Sequence, residues 1–342
     1  MLSKYGTRTS SLILRNHVCV VCIQQFLYNK NYLFDEIMRK SETANQQPDK
    51  KIIILVILLA LLWGGNSVSI KIGLQDIPPL ALAGFRFLLG LLAVGGWSVS
   101  QRIRIALNPR EFLPLICLSV IFLLQIISLN IGTQFTNASR STILISTYPF
   151  FTALFAHFWI PGDRLYFNKT VGIMLAFFGV LLTFGKNFQS EVQVSFLGDL
   201  VVLASGCLLG LRVVATKLLV QFIHPCRLLI WMMVFSLPCF FGLSFFLESG
   251  VGYQLSVSGV VAILYQGLVI AGFCFVSWTS VLKKYSPSKL VVLFFTTPLF
   301  GVLLSHLLLG DEVSSSLILG VGLVAFGIYM VNKHDTRRAD KQ

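Results

Sequence analysis

Apolar residues gather in ten blocks, at 52–74, 79–99, 112–134, 138–160, 169–186, 196–219, 226–247, 257–281, 288–309 and 314–332. A hydrocarbon core of ~30 Å needs ~20 apolar helical residues to cross it. The pattern therefore predicts an all-α polytopic membrane protein with ten transmembrane helices. Pro78-Pro79, Pro109, Gly162, Pro225, Gly250 and Gly310 punctuate the short connections, as turn chemistry requires. No segment between residues 52 and 332 is long enough for a soluble domain.

The pattern is written twice. Trp63–Lys71 (WGGNSVSIK) is echoed by Leu209–Lys217 (LGLRVVATK), and Ala138–His157 (ASRSTILISTYPFFTALFAH) by Pro287–His306 (PSKLVVLFFTTPLFGVLLSH). The first copy spans 52–186 and the second 196–332, with five blocks each. An odd number of spans forces the second copy to enter the membrane upside down. Inverted repeats of this kind build one site with two alternative openings.

Composition agrees. Of 342 residues, 55% are hydrophobic and 12% charged, where a soluble domain carries roughly 25%. Mean hydropathy is +0.79. The net charge of +13 sits in loops and tails, so it follows membrane topology rather than a nucleic-acid surface. Lys50, Lys51, Arg102, Arg104, Arg110, Arg164, Lys169, Arg227, Lys283, Lys284, Lys333, Arg337, Arg338 and Lys341 fall on one side, and Lys186 alone on the other. The positive-inside rule then puts both termini in the cytoplasm. Cys117, Cys207, Cys226, Cys239 and Cys274 read as small hydrophobes in the bundle. Cys19 and Cys22 form a lone pair followed by Ile23, which is no haem or metal signature. No cofactor or metal is expected.

Residues 1–51 precede the repeat as a cytoplasmic extension, and 333–342 form a basic tail. Three readings stand for the first 37 residues: a start that lies at Met38, a disordered or interfacial tail, or a targeting segment.

Polar residues inside spans are expensive, so each is a functional candidate. Acids are nearly absent there. Asp76, Glu111, Asp163, Glu191, Asp199, Glu248, Asp311 and Glu312 lie in loops or near span ends, which argues against a mid-membrane proton relay. Arg86 lies inside the second span, as an anion site or a structural hydrogen-bonder. Arg212 lies mid-way along the sixth, with Asn66 as its repeat mate, and this pair is the leading candidate for a central cavity. The remaining polar set is Gln125, Ser128 and Asn130 on the third span, Tyr148 on the fourth, and Tyr265, Gln266 and Trp278 on the eighth. Pro149 and Pro298 fall at matched mid-span positions. Each removes a backbone donor, which suggests hinges or broken helices. Lys71 and Lys217, and Arg140 and Lys289, are matched pairs at span ends, either gates or interfacial anchors. His157 and His306 are a further matched pair.

With these residues in view, the chain resembles the EamA-type permeases of the drug/metabolite transporter superfamily. The likeness runs through Trp63–Leu74, Pro78–Gly90, Ala138–Leu154, Gly179–Lys186 and Phe196–Gly206, then Thr297–Glu312 and Gly320–Val331. It implies two five-span repeats around a central cavity, alternating access, and movement of small metabolites such as amino acids across a bacterial inner membrane. Relatives that move phosphorylated sugars make an anionic-metabolite exchanger the alternative. The chain departs from the pattern at Trp159–Leu165 (WIPGDRL), where an aliphatic-Gly-Glu-Arg run is usual. It departs again at Gly210-Leu211-Arg212, where Trp-Ala-aromatic is usual.

The leading expectation is a permease that exports an amino-acid-like solute, working as a monomer or homodimer in the lipid bilayer, with no nucleic-acid partner. A receptor or scaffold is the reading from another class. No paired acids or His/Asp cluster exists for a membrane-embedded enzyme.

Overall fold

The structure, a computed structural model, describes residues 48–135, 141, 144–184, 196–250, 252–254, 256–300 and 315–333. Arg140, His306, Lys186, Glu191, Asp311 and Glu312, most of the N-terminal extension and the basic tail lie outside them. The described chain is helical, with no β-strand.

The first half holds α1 Lys50–Asp76, α2 Pro79–Ser100, α3 Phe112–Phe135, α4 Tyr148–Trp159 and α5 Phe167–Phe184. The second holds α6 Phe196–Leu219, α7 Pro225–Leu247, α8 Val257–Lys284, α9 Pro287–Phe300 and α10 Ser315–Lys333. Six of these, α1–α3 and α6–α8, are long and apolar enough to cross a membrane by themselves. Local chemistry sets their starts. Asp49 Oδ1 accepts from Ile52 N–H at 2.8 Å, and Ser256 Oγ accepts from Gly259 N–H at 3.0 Å. Pro79 and Pro225 occupy first-turn positions, where no N–H is needed.

The two halves interlock. The most extensive pairings are α5 with α10, α3 with α6, α2 with α7 and α8, and α4 with α6, and all of them join the halves. Lipid tails are as apolar as leucine, so burial of apolar surface gives little drive for helices to associate here. Close packing of small residues and buried polar ties take its place. On α5, a Cβ added at Gly172 would stand 2.8 Å from Gly327 O, and one at Gly179 would stand 2.7 Å from Gly320 O. Large apolar side chains such as Phe178, Phe245 and Phe246 stay on the outside, where lipid meets them.

Inside, four phenylalanines from both halves form a cluster. Phe87 lies with its ring centroid 4.7 Å from Phe122, 5.7 Å from Phe240 and 6.1 Å from Phe275. The edge-to-face pair of Phe87 and Phe122 adds about 0.5–1.5 kcal/mol beyond burial.

Loop acids tie the halves at both ends of the bundle. At the end carrying the basic loops, Glu111 pairs with Arg227 at 2.6 Å. At the same end Asp163 pairs with Lys169 at 2.6 Å and accepts from Ser286 Oγ at 2.8 Å, Ser288 N–H at 3.2 Å and Ser288 Oγ. Gly162, with φ 79°, turns the chain into that position, a conformation that favours glycine. At the opposite end Glu248 accepts from Leu80 N–H at 2.8 Å, Ala81 N–H at 3.1 Å and Ser244 Oγ at 2.6 Å. Asp76 accepts from Ser256 N–H at 3.0 Å and from its hydroxyl. The sequence pattern presents these acids as loop residues. The fold uses all four of them as inter-half clamps.

Two spans are interrupted just before their prolines. The fourth breaks at Ser146-Thr147, two residues before Pro149, and the ninth at Phe294-Phe295, three residues before Pro298. The eighth contains a π-helical stretch, Tyr265–Cys274, that no residue pattern announced. Such stretches are rare and cluster at functional sites.

Candidate functional site

A cavity of about 160 Å³ lies between the halves. Its wall is built from repeat mates. Trp63, Asn66 and Ile70 face it from α1, while their mates Leu209, Arg212 and Thr216 face it from α6. The spacing i, i+3, i+7 lays each set along one helix face. Arg86 and Met232 line it from α2 and α7. Ile145 with Phe294, and Tyr148 with Thr297, line it from the two interrupted spans. Every one of these mate pairs differs in residue type, so a frame with two-fold pseudosymmetry carries an asymmetric lining.

The helix breaks bring Tyr148, Phe294 and Thr297 to the wall. Thr147 N–H and Phe294 N–H reach back three residues, to Leu144 O at 3.2 Å and Val291 O at 3.0 Å. These tight turns re-satisfy backbone that an interrupted helix leaves bare, as a low-dielectric setting demands. Gly206 and Gly210 let α6 sit against the first break. A Cβ on Gly206 would meet Thr147 Oγ1 at 2.9 Å, and one on Gly210 would meet Phe151 Cβ at 2.7 Å.

The lining is electropositive. Arg86 and Arg212 both face the cavity, and among the described residues no Asp or Glu does. Arg212 holds its guanidinium over Phe122 and Phe275, with centroids at 5.2 and 5.4 Å, and Arg86 stands 4.8 Å over Phe87. The aromatic cluster thus carries both cations on ring faces, where the quadrupole is negative. Arg86 Nε, Arg212 Nη1, Asn66 Oδ1, Gln125 Oε1 and Thr297 Oγ1 are buried, and the protein gives them no hydrogen-bond partner. A buried unsatisfied polar atom costs about 1–3 kcal/mol. All five belong to residues of the cavity wall.

Of the nine sequence-derived binding candidates, Asn66, Arg86, Gln125, Tyr148, Arg212 and Trp278 stand in the wall. Asn130, Tyr265 and Gln266 stand outside it and tie helices together. Asn130 Nδ2 donates to Pro79 O at 2.9 Å, Tyr265 OH to Leu62 O, and Gln266 Nε2 to Ser69 O at 2.9 Å. Trp63, Thr133, Ser141, Ser146, Thr216 and Thr279 also line the cavity without having been singled out. Trp63 opens the repeated stretch of α1, and that was a usable signal. The hydroxyls gave none, since serine and threonine are common along spans. Of the end residues, Lys71 is exposed and Lys217 fully buried, with Lys217 Nζ donating to Tyr285 O at 3.0 Å. Lys289 is buried at the start of α9.

A sequence profile of the EamA-like transporter family matches residues 50–185 and again 196–333. The chain belongs to the EamA-like transporter family. It is therefore an integral membrane protein that works in transport, built as two inverted five-helix repeats. Relatives named as transporters or efflux pumps match along most of their length. The uncharacterized transporter YoaV of Bacillus subtilis is 27% identical over 281 residues, which cover 82% of this chain and 96% of the relative. A probable amino-acid metabolite efflux pump of Escherichia coli is 26% identical over 287 residues, covering 81% and 93%. A solved crystal structure superposes with a TM-score of 0.70 at 16% identity, over 82% of this chain and 98% of the other, which supports the fold.

Proposed function

We propose that this EamA-like protein exports a small solute bearing a carboxylate, by alternating access around the cavity between its halves. One observation carries the reading: two guanidiniums face a cavity whose described lining holds no acid. A carboxylate would neutralise them and accept from Arg86 Nε and Arg212 Nη1, the atoms the protein leaves unpartnered. Size favours an amino-acid-like guest over a sugar phosphate. The cavity's 160 Å³ compares with the ~150 Å³ that accepts one benzene. The efflux-pump name of the Escherichia coli relative supports export and an amino-acid-like class. The interrupted spans at Pro149 and Pro298 are the proposed hinges, and the buried clamp around Asp163, Lys217 and Lys289 the proposed gate at the basic end. The excess of Lys and Arg on one side supports cytoplasmic termini in a plasma membrane.

The test is a flux panel in proteoliposomes, with and without a pH gradient, comparing amino acids, simple carboxylates, organic cations and sugar phosphates. Carboxylates move, and Arg212→Gln reduces their flux at least ~10-fold while the protein still reaches the membrane, the size of effect expected when a charged hydrogen bond of ~1.5–3 kcal/mol is lost. Normal carboxylate flux through the Arg212→Gln protein would sink the assignment.

A further inference from the structure

Gln125 stands in the cavity wall, buried, on α3. A side-chain amide has two faces, one that donates and one that accepts, and geometry alone seldom tells them apart. Here the neighbour decides. Ser205 Oγ donates its single proton to the backbone carbonyl of Gln125 at 2.8 Å. That hydroxyl has nothing left to give, so toward the Gln125 side chain it only accepts. The amide nitrogen faces it, with Nε2 3.2 Å away. The amide oxygen is then turned away from Ser205. It is buried and the protein gives it no donor.

This acceptor sits beside the cationic floor. Gln125 follows Phe122 by three positions on α3, so both project from one face, and the Phe122 ring carries the Arg212 guanidinium at 5.2 Å. The cavity wall therefore holds Arg212, the proposed carboxylate ligand, and, on the helix face that carries its supporting ring, an acceptor without a donor in the protein. A guest held by its carboxylate brings the substituent on the adjacent carbon toward that acceptor.

From this juxtaposition we infer that Gln125 is a specificity-determining residue. Its Oε1 reads a hydrogen-bond donor next to the carboxylate, so the preferred solutes are 2-amino or 2-hydroxy carboxylates rather than plain ones. Ser205 is its positioning residue. The inference rests on the carboxylate reading above and goes further by naming which carboxylates are chosen and what chooses them. A plain carboxylate leaves Oε1 buried without a donor, a penalty equivalent to roughly tenfold or more in apparent affinity.

Three probes of one skeleton test it: leucine, 2-hydroxy-4-methylpentanoate and 4-methylpentanoate. Protein-dependent flux of each is measured in proteoliposomes of the full chain. The wild type favours the first two over 4-methylpentanoate by about tenfold. Gln125→Met, which keeps length and removes the acceptor, brings that ratio to within about twofold. Ser205→Ala, a small change that lets the amide turn over, lowers the ratio as well, which a packing role for Ser205 would not do. Equal flux of all three probes in the wild type overturns the inference and leaves the carboxylate reading standing. So does an unchanged ratio in both variants. If none of the three moves, both readings fall.

Discussion

Thr147 donates its hydroxyl to the carbonyl oxygen of Leu144 at 2.7 Å, and its repeat mate Thr296 makes the same bond to Leu293 at 2.6 Å. The duplication therefore conserves the stitch that closes each helix break, while the cavity residues beside the breaks have diverged. Each bond caps a carbonyl that a regular helix would have satisfied from further along the chain. Removing either hydroxyl by Thr147→Val or Thr296→Val, at nearly constant volume, costs about 1 kcal/mol. Thermal unfolding in detergent reads this. Two variants as stable as the wild type would mean that the breaks hold without the stitch.

Asp163 accepts from two serines of the second half and pairs with a lysine of the first. Asp163→Asn leaves the Lys169 ammonium buried without a counter-charge, and breaking such a pair costs about 3–5 kcal/mol. Replacing both partners is milder, so Asp163→Asn with Lys169→Met recovers part of the loss. The check is a double-mutant cycle on unfolding temperature. Additive losses would mean that the two side chains act separately.

The same carboxyl predicts a pH profile. Burial disfavours its charged form, but Lys169, Ser288 and Ser286 outweigh that and hold Asp163 below the usual carboxylate range. A group whose folded value is depressed stabilises the fold fully above its unfolded value and loses that contribution as pH falls through the folded one. The stability gap between wild type and Asp163→Asn is therefore flat from about pH 5 to 8 and narrows only below ~4. A gap that closes near neutrality would point to another group.

The overall frame was legible because lipid imposes it. Length and hydropathy mark the helices, and the echo of Trp63–Lys71 in Leu209–Lys217 marks the duplication. Pro149 and Pro298 announced the interruptions, since a missing N–H acts locally. Partner choice was hidden. Asn130 and Gln125 lie on one helix and are both buried amides, yet one ties to Pro79 O and the other faces the cavity. Nothing within α3 distinguishes them, because the difference lies in what α2 and α6 bring alongside. Asp76, Glu111, Asp163 and Glu248 were hidden for the opposite reason. A loop acid normally stays in water, and the interlocking of the halves brings each of these four a donor from the other half. The π-helical stretch of α8 was hidden too; within it Gly267 and Gly272 sit close against Leu89 and Ala93, contacts that the sequence of α8 alone does not show.

Packing of α5 against α10 rests on bare backbone. Gly172→Val and Gly179→Val would drive side chains into Gly327 O and Gly320 O, so the helices must separate. Overpacking of this kind costs about 1–3 kcal/mol. In contrast, Gly95→Val on α2, where an added Cβ meets nothing within 4 Å, changes stability by less than ~1 kcal/mol. Unfolding temperatures of the three variants separate the cases. Equal losses would mean that helix propensity, not contact, governs these positions.

Lys71 and Lys217 are repeat mates with the same side chain and opposite surroundings. Lys71 is exposed. Lys217 is fully buried, bonds Tyr285 O at 3.0 Å and lies near enough to Asp163 to feel its charge. Sequence symmetry alone would give the two lysines equal weight. The burial difference does not. Truncating an exposed side chain away from special features changes stability by less than ~0.5 kcal/mol, which is the expectation for Lys71→Ala. Lys217→Ala removes a charge-assisted hydrogen bond and opens a cavity in a packed wall, and costs about 2–4 kcal/mol. The pair sits at opposite ends of an inverted repeat, and the buried lysine is the one beside Asp163, where the gate is proposed. A conformation open at that end must expose Lys217, so an amine-reactive, membrane-impermeant reagent labels it only when the clamp is broken, as in Asp163→Asn. Equal labelling of Lys217 in the wild type and in Asp163→Asn would show that the clamp does not control access to that end.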